Sequence, residues 1–205
     1  IAITLLCLFY ISATAQSVSS GSRSFNSEWR FFLGDAAGAE QPGFDDRSWR
    51  SLDIPHYWSI EDLPDQSDHD VIGPFYRRSV GATSTGYTVG GRAWYRKTFI
   101  LPQEDSGKLA AVLFDGIYMN SDLWINGHHL GNHPYGYTPI NYDLSPYLKP
   151  AGEPNVLAVQ VKNEGRNSRW YTSSCIYRKA WLNVTEAVHI RQWGVFVTKP
   201  HVTRK

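Results

Sequence analysis

Between residues 61 and 70 lie Glu61, Asp62, Asp65, Asp68, His69 and Asp70, a density of titratable groups that could do chemistry. Carboxylates this close together can act as general acid and base, or as ligands to calcium. Their spacing matches no calcium loop, and the segment reads first as a solvated acidic loop. A second group, His128, His129 and His133, raises the question of a metal. Neighbouring side chains on a strand point to opposite faces, so adjacent His128 and His129 do not easily share one ion. Serine, histidine and aspartate are all present, but no serine sits in a nucleophile-elbow context. Of the two cysteines, Cys7 falls in an N-terminal apolar run read below as a signal segment that is removed, which leaves Cys175 alone and excludes a disulfide framework or a Cys-based zinc site. Cys175 reads as a small buried residue. No cofactor and no metal are expected.

These residues must be held by strands, because no segment keeps a helical period. From Asn155 to Lys162, Val156, Ala158 and Gln160 alternate with Leu157, Val159 and Val161, one mixed face against one apolar face. Trp94 to Leu101, Leu109 to Asp115, Lys179 to Val184 and Ala187 to Thr198 are further strand candidates. Ser121 to Leu130 reads as a hairpin around Asn126-Gly127, since a type I′ turn needs positive φ at both central residues. Two short pieces look helical, Phe44 to Trp49 and Ser145 to Leu148, the latter with Ser145 as N-cap and Pro146 at the first helical position. Residues 63–91, rich in Asp, Gly, Ser and Thr, read as long loops, which in ordered domains are commonly functional. Short strands without intervening helices predict an all-β fold, an antiparallel β-sandwich or jelly roll of the galactose-binding-domain type.

The chain has 205 residues, one domain's worth, and a formal net charge of +1, which gives no reason to expect nucleic acid as a partner. Aromatic residues make up 14%, with 8 Trp and 12 Tyr. That is more than a core needs, and rigid aromatic faces suit stacking on sugar rings as well as sheet packing. The apolar run Ile1 to Ser12 is followed by Ala13-Thr14-Ala15, a small-x-small cleavage pattern. The run is shorter than the roughly 20 residues that cross a bilayer. It therefore predicts a partial signal peptide over 1–15 rather than a membrane span, and an exported protein, periplasmic or extracellular. Residues 16–24 read as a polar linker, 25–200 as the sandwich, and 201–205 as the start of a further linker.

Four stretches, taken together, resemble the N-terminal sugar-binding domain of glycoside hydrolase family 2, the β-galactosidases in particular. They are Trp29-Arg30-Phe31-Phe32-Leu33-Gly34 with Phe44-Asp45-Asp46 and Trp49; Ile54-Pro55-His56-Tyr57-Trp58-Ser59; Gly91 to Phe99; and the run from Phe114-Asp115-Gly116 through Asp122 to Gly127, Gly136-Tyr137 and Tyr142-Asp143-Leu144 to Asn167-Ser168-Arg169-Trp170-Tyr171 and Ile176-Tyr177-Arg178. The resemblance implies a jelly roll that packs against an Ig-like domain and a (β/α)8 barrel, where two glutamates hydrolyse a β-glycosidic bond with retention. Both glutamates would lie beyond Lys205, so hydrolysis is not expected of these residues alone. The resemblance also implies that the loop before Ile176-Tyr177-Arg178 reaches the sugar. Arg169 would offer a fork of donors to hydroxyl oxygens, and Trp170 and Tyr171 stacking faces. Asp68 and Asp70 become candidates at the edge of the same site. Two positions depart from the family: Tyr57 stands where Asp is usual, and Cys175 where Gly is usual. If the backbone at 175 needed positive φ, Cys would cost roughly 1 kcal/mol or more. The expected partners are a β-glycoside such as a galactoside and the rest of the enzyme. A free-standing carbohydrate-binding module and a protein-interaction sandwich remain the alternatives.

Overall fold

The computed structural model describes residues 21–166 and 174–200. In chain order the strands are β1 (Gly21–Ser24), β2 (Trp29–Leu33), β3 (Arg50–Leu52), β4 (His56–Tyr57), β5 (Val71–Ile72), β6 (Phe75–Tyr76), β7 (Gly91–Ile100), β8 (Leu109–Phe114), β9 (Ser121–Ile125), β10 (His128–His133), β11 (Ile140–Asp143), β12 (Pro154–Asn163), β13 (Cys175–Ile176) and β14 (Ala180–Thr185). A six-stranded sheet runs β10-β9-β12-β7-β2-β3 and a four-stranded sheet β1-β14-β8-β11, with every pairing antiparallel. The two form the expected jelly-roll sandwich. Two small pairs, β13-β4 and β5-β6, sit apart from them. Among the described residues no helix is long and apolar enough to cross a membrane.

The period-two pattern decides which side chains meet between the sheets. Leu157, Val159 and Val161 of β12 and Ala93 and Tyr95 of β7 turn inward, against Ala110, Val112 and Phe114 of β8 and Leu182 and Val184 of β14. Each fully buried Leu or Val side chain contributes about 1.5–3 kcal/mol. The alternate residues of the six-stranded sheet, Trp94 and Ala158, face outward and are covered by Ala39 and Trp49 from the segment between β2 and β3. The Asn126-Gly127 hairpin forms as expected, with φ of 50° and 85°. The Asn126 side chain then serves the fold as well: Oδ1 accepts the Val156 N–H and Nδ2 donates to Asn155. The short helical piece expected at Ser145 is a 3-10 turn, Ser145–Tyr147, that starts one residue earlier than expected, with Leu144 at the cap and the Ser145 hydroxyl accepting the Ala110 N–H instead.

Three expectations are corrected. Gly21 to Ser24 is not linker but β1, paired with β14 from Val184 to Trp181. Composition hides this strand because its ladder is backbone only. Gly21 has no side chain where a Cβ would lie 1.8 Å from the Val184 carbonyl, and Arg23 reaches buried Asp105 at 2.5 Å. Phe44 to Trp49 is a series of turns, closed by the Trp49 N–H on the Asp46 carbonyl, rather than a helical turn. Residues 187–198 form no strand. They have strand-forming residues but pair with no strand, and Val188, Ile190, Val195, Phe196 and Val197 stand exposed. The core's last member is Val184. A chain ending at Ala187 is therefore expected to unfold within about 0.5 kcal/mol of the full chain and to bind less of an apolar dye. A loss several times larger would show that the tail is part of the fold.

Candidate functional site

Long-range pairing brings the 63–91 loop and the stems that flank residues 167–173 together. β12 ends at Asn163, and the chain returns at Ser174 into β13. The two stems are clasped: Asn163 Nδ2 donates to the Ser174 hydroxyl at 2.7 Å, and the Ser174 N–H to the Ser59 hydroxyl at 2.8 Å. Arg169, Trp170 and Tyr171 lie between these stems, outside the described residues. Cys175 is extended in β13, paired with Tyr57, so the Gly-to-Cys departure strains nothing. It is fully buried, and burial pushes its thiol pKa up, away from nucleophile chemistry. Tyr57, the other departure, donates its hydroxyl to the Tyr177 carbonyl at 2.9 Å and ties the two short strands together.

Beside the clasp, the loop expected to be functional folds back on itself. Gln66 staples it, donating to the Leu63 and Gly73 carbonyls while its Oε1 accepts the Gly73 N–H. Asp65 and Asp68 close Asx turns on the N–H groups of Ser67 and Asp70. Asp68 and Asp70 do come together, but on a residue the sequence reading missed. Arg78 Nη2 reaches Asp68 at 2.8 Å, and Arg78 Nε reaches Asp70 at 2.8 Å. Arg78 lines a pocket of about 400 Å³ with Val80, Gly81 and Val89, and the opposite wall is Asn163, Glu164 and Gly165, the first stem of the Arg169 loop. The two carboxylates thus hold the cation that faces the pocket rather than facing it themselves. The only sequence hint of Arg78 is that an acidic loop of this density needs a nearby cation to order it.

Glu61 and His56 belong to a different arrangement behind the clasp. The Tyr95 hydroxyl lies 2.8 Å from His56 Nδ1. His56 Nε2 lies 3.0 Å from Glu61, which also receives Arg50. Nε2 also lies 3.1 Å from Arg50 Nη2, and burial of the ring favours its neutral form. Burial, the largest influence, holds the His56 pKa below its ordinary 6.5, outweighing Glu61. Hydrogen bonds from Arg50 and His56 hold the Glu61 carboxyl below its ordinary 4.5. The unfolded chain therefore takes up a proton at residue 56 that the folded chain refuses. His56 contributes its full stability above about pH 6.5 and loses it as pH falls toward the depressed folded value; Glu61 adds a second loss below about 4.5. The melting temperature is expected to fall between pH 7 and pH 5, and to fall less in His56→Gln. A decline of the same steepness in that variant would contradict the assignment.

The histidines go to separate partners: His128 stacks on Tyr147, His129 reaches Asp122 at 2.8 Å and His133 reaches Thr138 at 2.9 Å. Among the described residues no three His, Cys, Asp or Glu side chains gather as a metal site.

The fold class these features define is a jelly-roll β-sandwich with a loop-built pocket. Residues 22–187 match the model of the sugar binding domain of glycosyl hydrolases family 2, and the chain belongs to that family. It is 48% identical to a Bacteroides ovatus protein named Beta-galactosidase BoGH2A, over 94% of this chain and 22% of that protein. It is 36% identical to a putative beta-glucuronidase of Formosa agariphila, over 98% of this chain and 18% of that protein. A crystal structure of a family 2 member from Bacteroides cellulosilyticus superposes with a TM-score of 0.81 at 46% identity, over 89% of this chain and 23% of that one. The chain thus spans about a fifth of these relatives.

Proposed function

We propose that this domain supplies one wall of the substrate site of a secreted, retaining β-glycosidase of the β-galactosidase kind. In this reading the Arg169-Trp170-Tyr171 loop meets the sugar and the pocket at Arg78 forms the rim. The observation that carries it is the pocket itself, built jointly from the 76–91 loop and the stem Asn163–Gly165 that leads into Arg169. Residues some 90 positions apart form one concavity with a cation pre-set by two carboxylates. An arginine so held loses less freedom on meeting a hydroxyl than a mobile one would. Catalysis is assigned to glutamates on a barrel outside these residues, and the exposed Val188–Val197 tail to contacts with the rest of that enzyme. Export rests on the apolar run and Ala13-Thr14-Ala15.

Calorimetric titration of the 205-residue chain with methyl β-galactoside tests the reading. One wall of a site is expected to bind weakly, on the order of millimolar. Arg169→Ala and Arg78→Ala are each expected to weaken binding about tenfold, the worth of one charge-assisted hydrogen bond. Unchanged affinity in both variants would remove the site from this pocket.

A further inference from the structure

We propose a second sugar-contact site on this domain, a tyrosine platform at Tyr135 and Tyr137 beside the groove of Asp115, Arg178 and Lys179, which takes a further pyranose of a β-linked oligosaccharide. It rests on the reading of the chain as a sugar-binding domain but uses none of the residues of the Arg78 pocket. Tyr135 and Tyr137 are 57% and 53% exposed, the most exposed aromatic side chains described outside the C-terminal tail. Their exposure is not looseness. Tyr137 packs edge-to-face on Tyr118 at 5.3 Å, and Tyr135 on Tyr137 at 5.5 Å. The turn that carries them is pinned twice. The Tyr177 hydroxyl donates to the Gly136 carbonyl at 2.8 Å, and the Gly136 backbone lies so close to Tyr118 that a Cβ would come within 2.2 Å of its ring. Rings held upright in this way offer a face to the C–H side of a sugar with little ordering left to do.

From the platform the same turn runs to Pro139, which lines an open groove of about 370 Å³ with Pro55, Asp115, Tyr177, Arg178 and Lys179. The groove has the composition a sugar needs: flat apolar walls and a few polar groups of both kinds. Asp115 is an acceptor whose Oδ2 is anchored by the Trp181 indole N–H at 3.0 Å. Arg178 and Lys179 are donors poised over aromatic faces, Arg178 at 5.4 Å from the Tyr177 ring and Lys179 at 5.8 Å from Trp181. Among the described residues neither cation has a carboxylate partner within 4.0 Å. The β4–β13 pair links the groove to the first pocket among the described residues: Tyr57 bonds to Tyr177 of the groove, and Ser174, next to Cys175, is clasped to Asn163 of the pocket. An oligosaccharide is the occupant that would use both.

An array of β-linked oligosaccharides, neutral and uronic, each printed beside its own monosaccharide, tests this with the full chain. The expected result is that at least one oligosaccharide binds about tenfold more tightly than its monosaccharide. Tyr135→Ala/Tyr137→Ala should remove that gain and leave the monosaccharide affinity unchanged. Arg178→Gln, an exposed change that spares the fold, should remove part of it. Monosaccharide binding with no gain from length overturns the platform while the Arg78 pocket stands. Length-dependent binding through the tyrosines with no effect of Arg78→Ala or Arg169→Ala overturns the pocket while the platform stands. No binding of any sugar overturns both. A concentration-dependent dimer lost in the tyrosine variant would give the face to a second copy of the chain instead, and would also overturn the platform.

Discussion

Replacing Arg96 with Met is expected to destabilise the domain by about 3–5 kcal/mol. Arg96 lies on the outward face of β7 with its side chain 2% exposed. It donates to Asp46 through Nε at 2.8 Å, to the Gln41 carbonyl at 3.1 Å and to the Ala39 carbonyl, and its guanidinium lies over the Phe44 ring. One side chain thus ties down three points, Ala39, Gln41 and Asp46, of the segment that covers Trp94 and Ala158. Met fills similar space but takes the donor from a partly buried carboxylate and from the Ala39 carbonyl, while the Gln41 carbonyl keeps only the Phe44 N–H. The loss should show as a lower urea midpoint with an unchanged slope. A cost below about 1 kcal/mol would mean that water replaces the guanidinium there, since a surface ion pair is worth no more than that.

Trp29→Ala is expected to cost a similar 3–5 kcal/mol by a different route. The indole is completely buried between the sheets, against Phe25 at 5.9 Å and Phe114 at 6.0 Å. Its N–H donates to the Phe25 carbonyl at 2.9 Å. Alanine opens a cavity that paired strands on both sides cannot close. Trp29→Phe keeps an aromatic ring and loses the hydrogen bond, so about 1–3 kcal/mol is expected. Chemical denaturation of the two variants gives the ordering, and equal losses would show that the hydrogen bond, not the volume, dominates.

The sandwich is legible in the sequence because strand alternation is a local signal. Leu157, Val159 and Val161 announce their face without reference to any partner, and Asn126-Gly127 announces its turn. What depends on a partner is not legible. Gly21–Ser24 has strand geometry only because β14 lies beside it, while Val195-Phe196-Val197 has strand residues and nothing beside it. The site divides in the same way. The 63–91 loop stands out by composition, but the joint hold of Asp68 and Asp70 on Arg78 is a fact of the folded loop. The Asn163–Ser174–Ser59 clasp spans 115 residues and leaves no local trace. His56 and Glu61 are close in sequence, yet Tyr95, which meets the other ring nitrogen, comes from another strand.

The most direct test of the account is an amide-resolved NMR titration of the chain with methyl β-galactoside. The account predicts shifts clustered at Arg78–Gly81, Val89–Gly91 and Asn163–Gly165, continuing into Arg169–Tyr171, with the two sheets unmoved. No shifts at saturating sugar, or shifts confined to the Asn126-Gly127 turn, would contradict it.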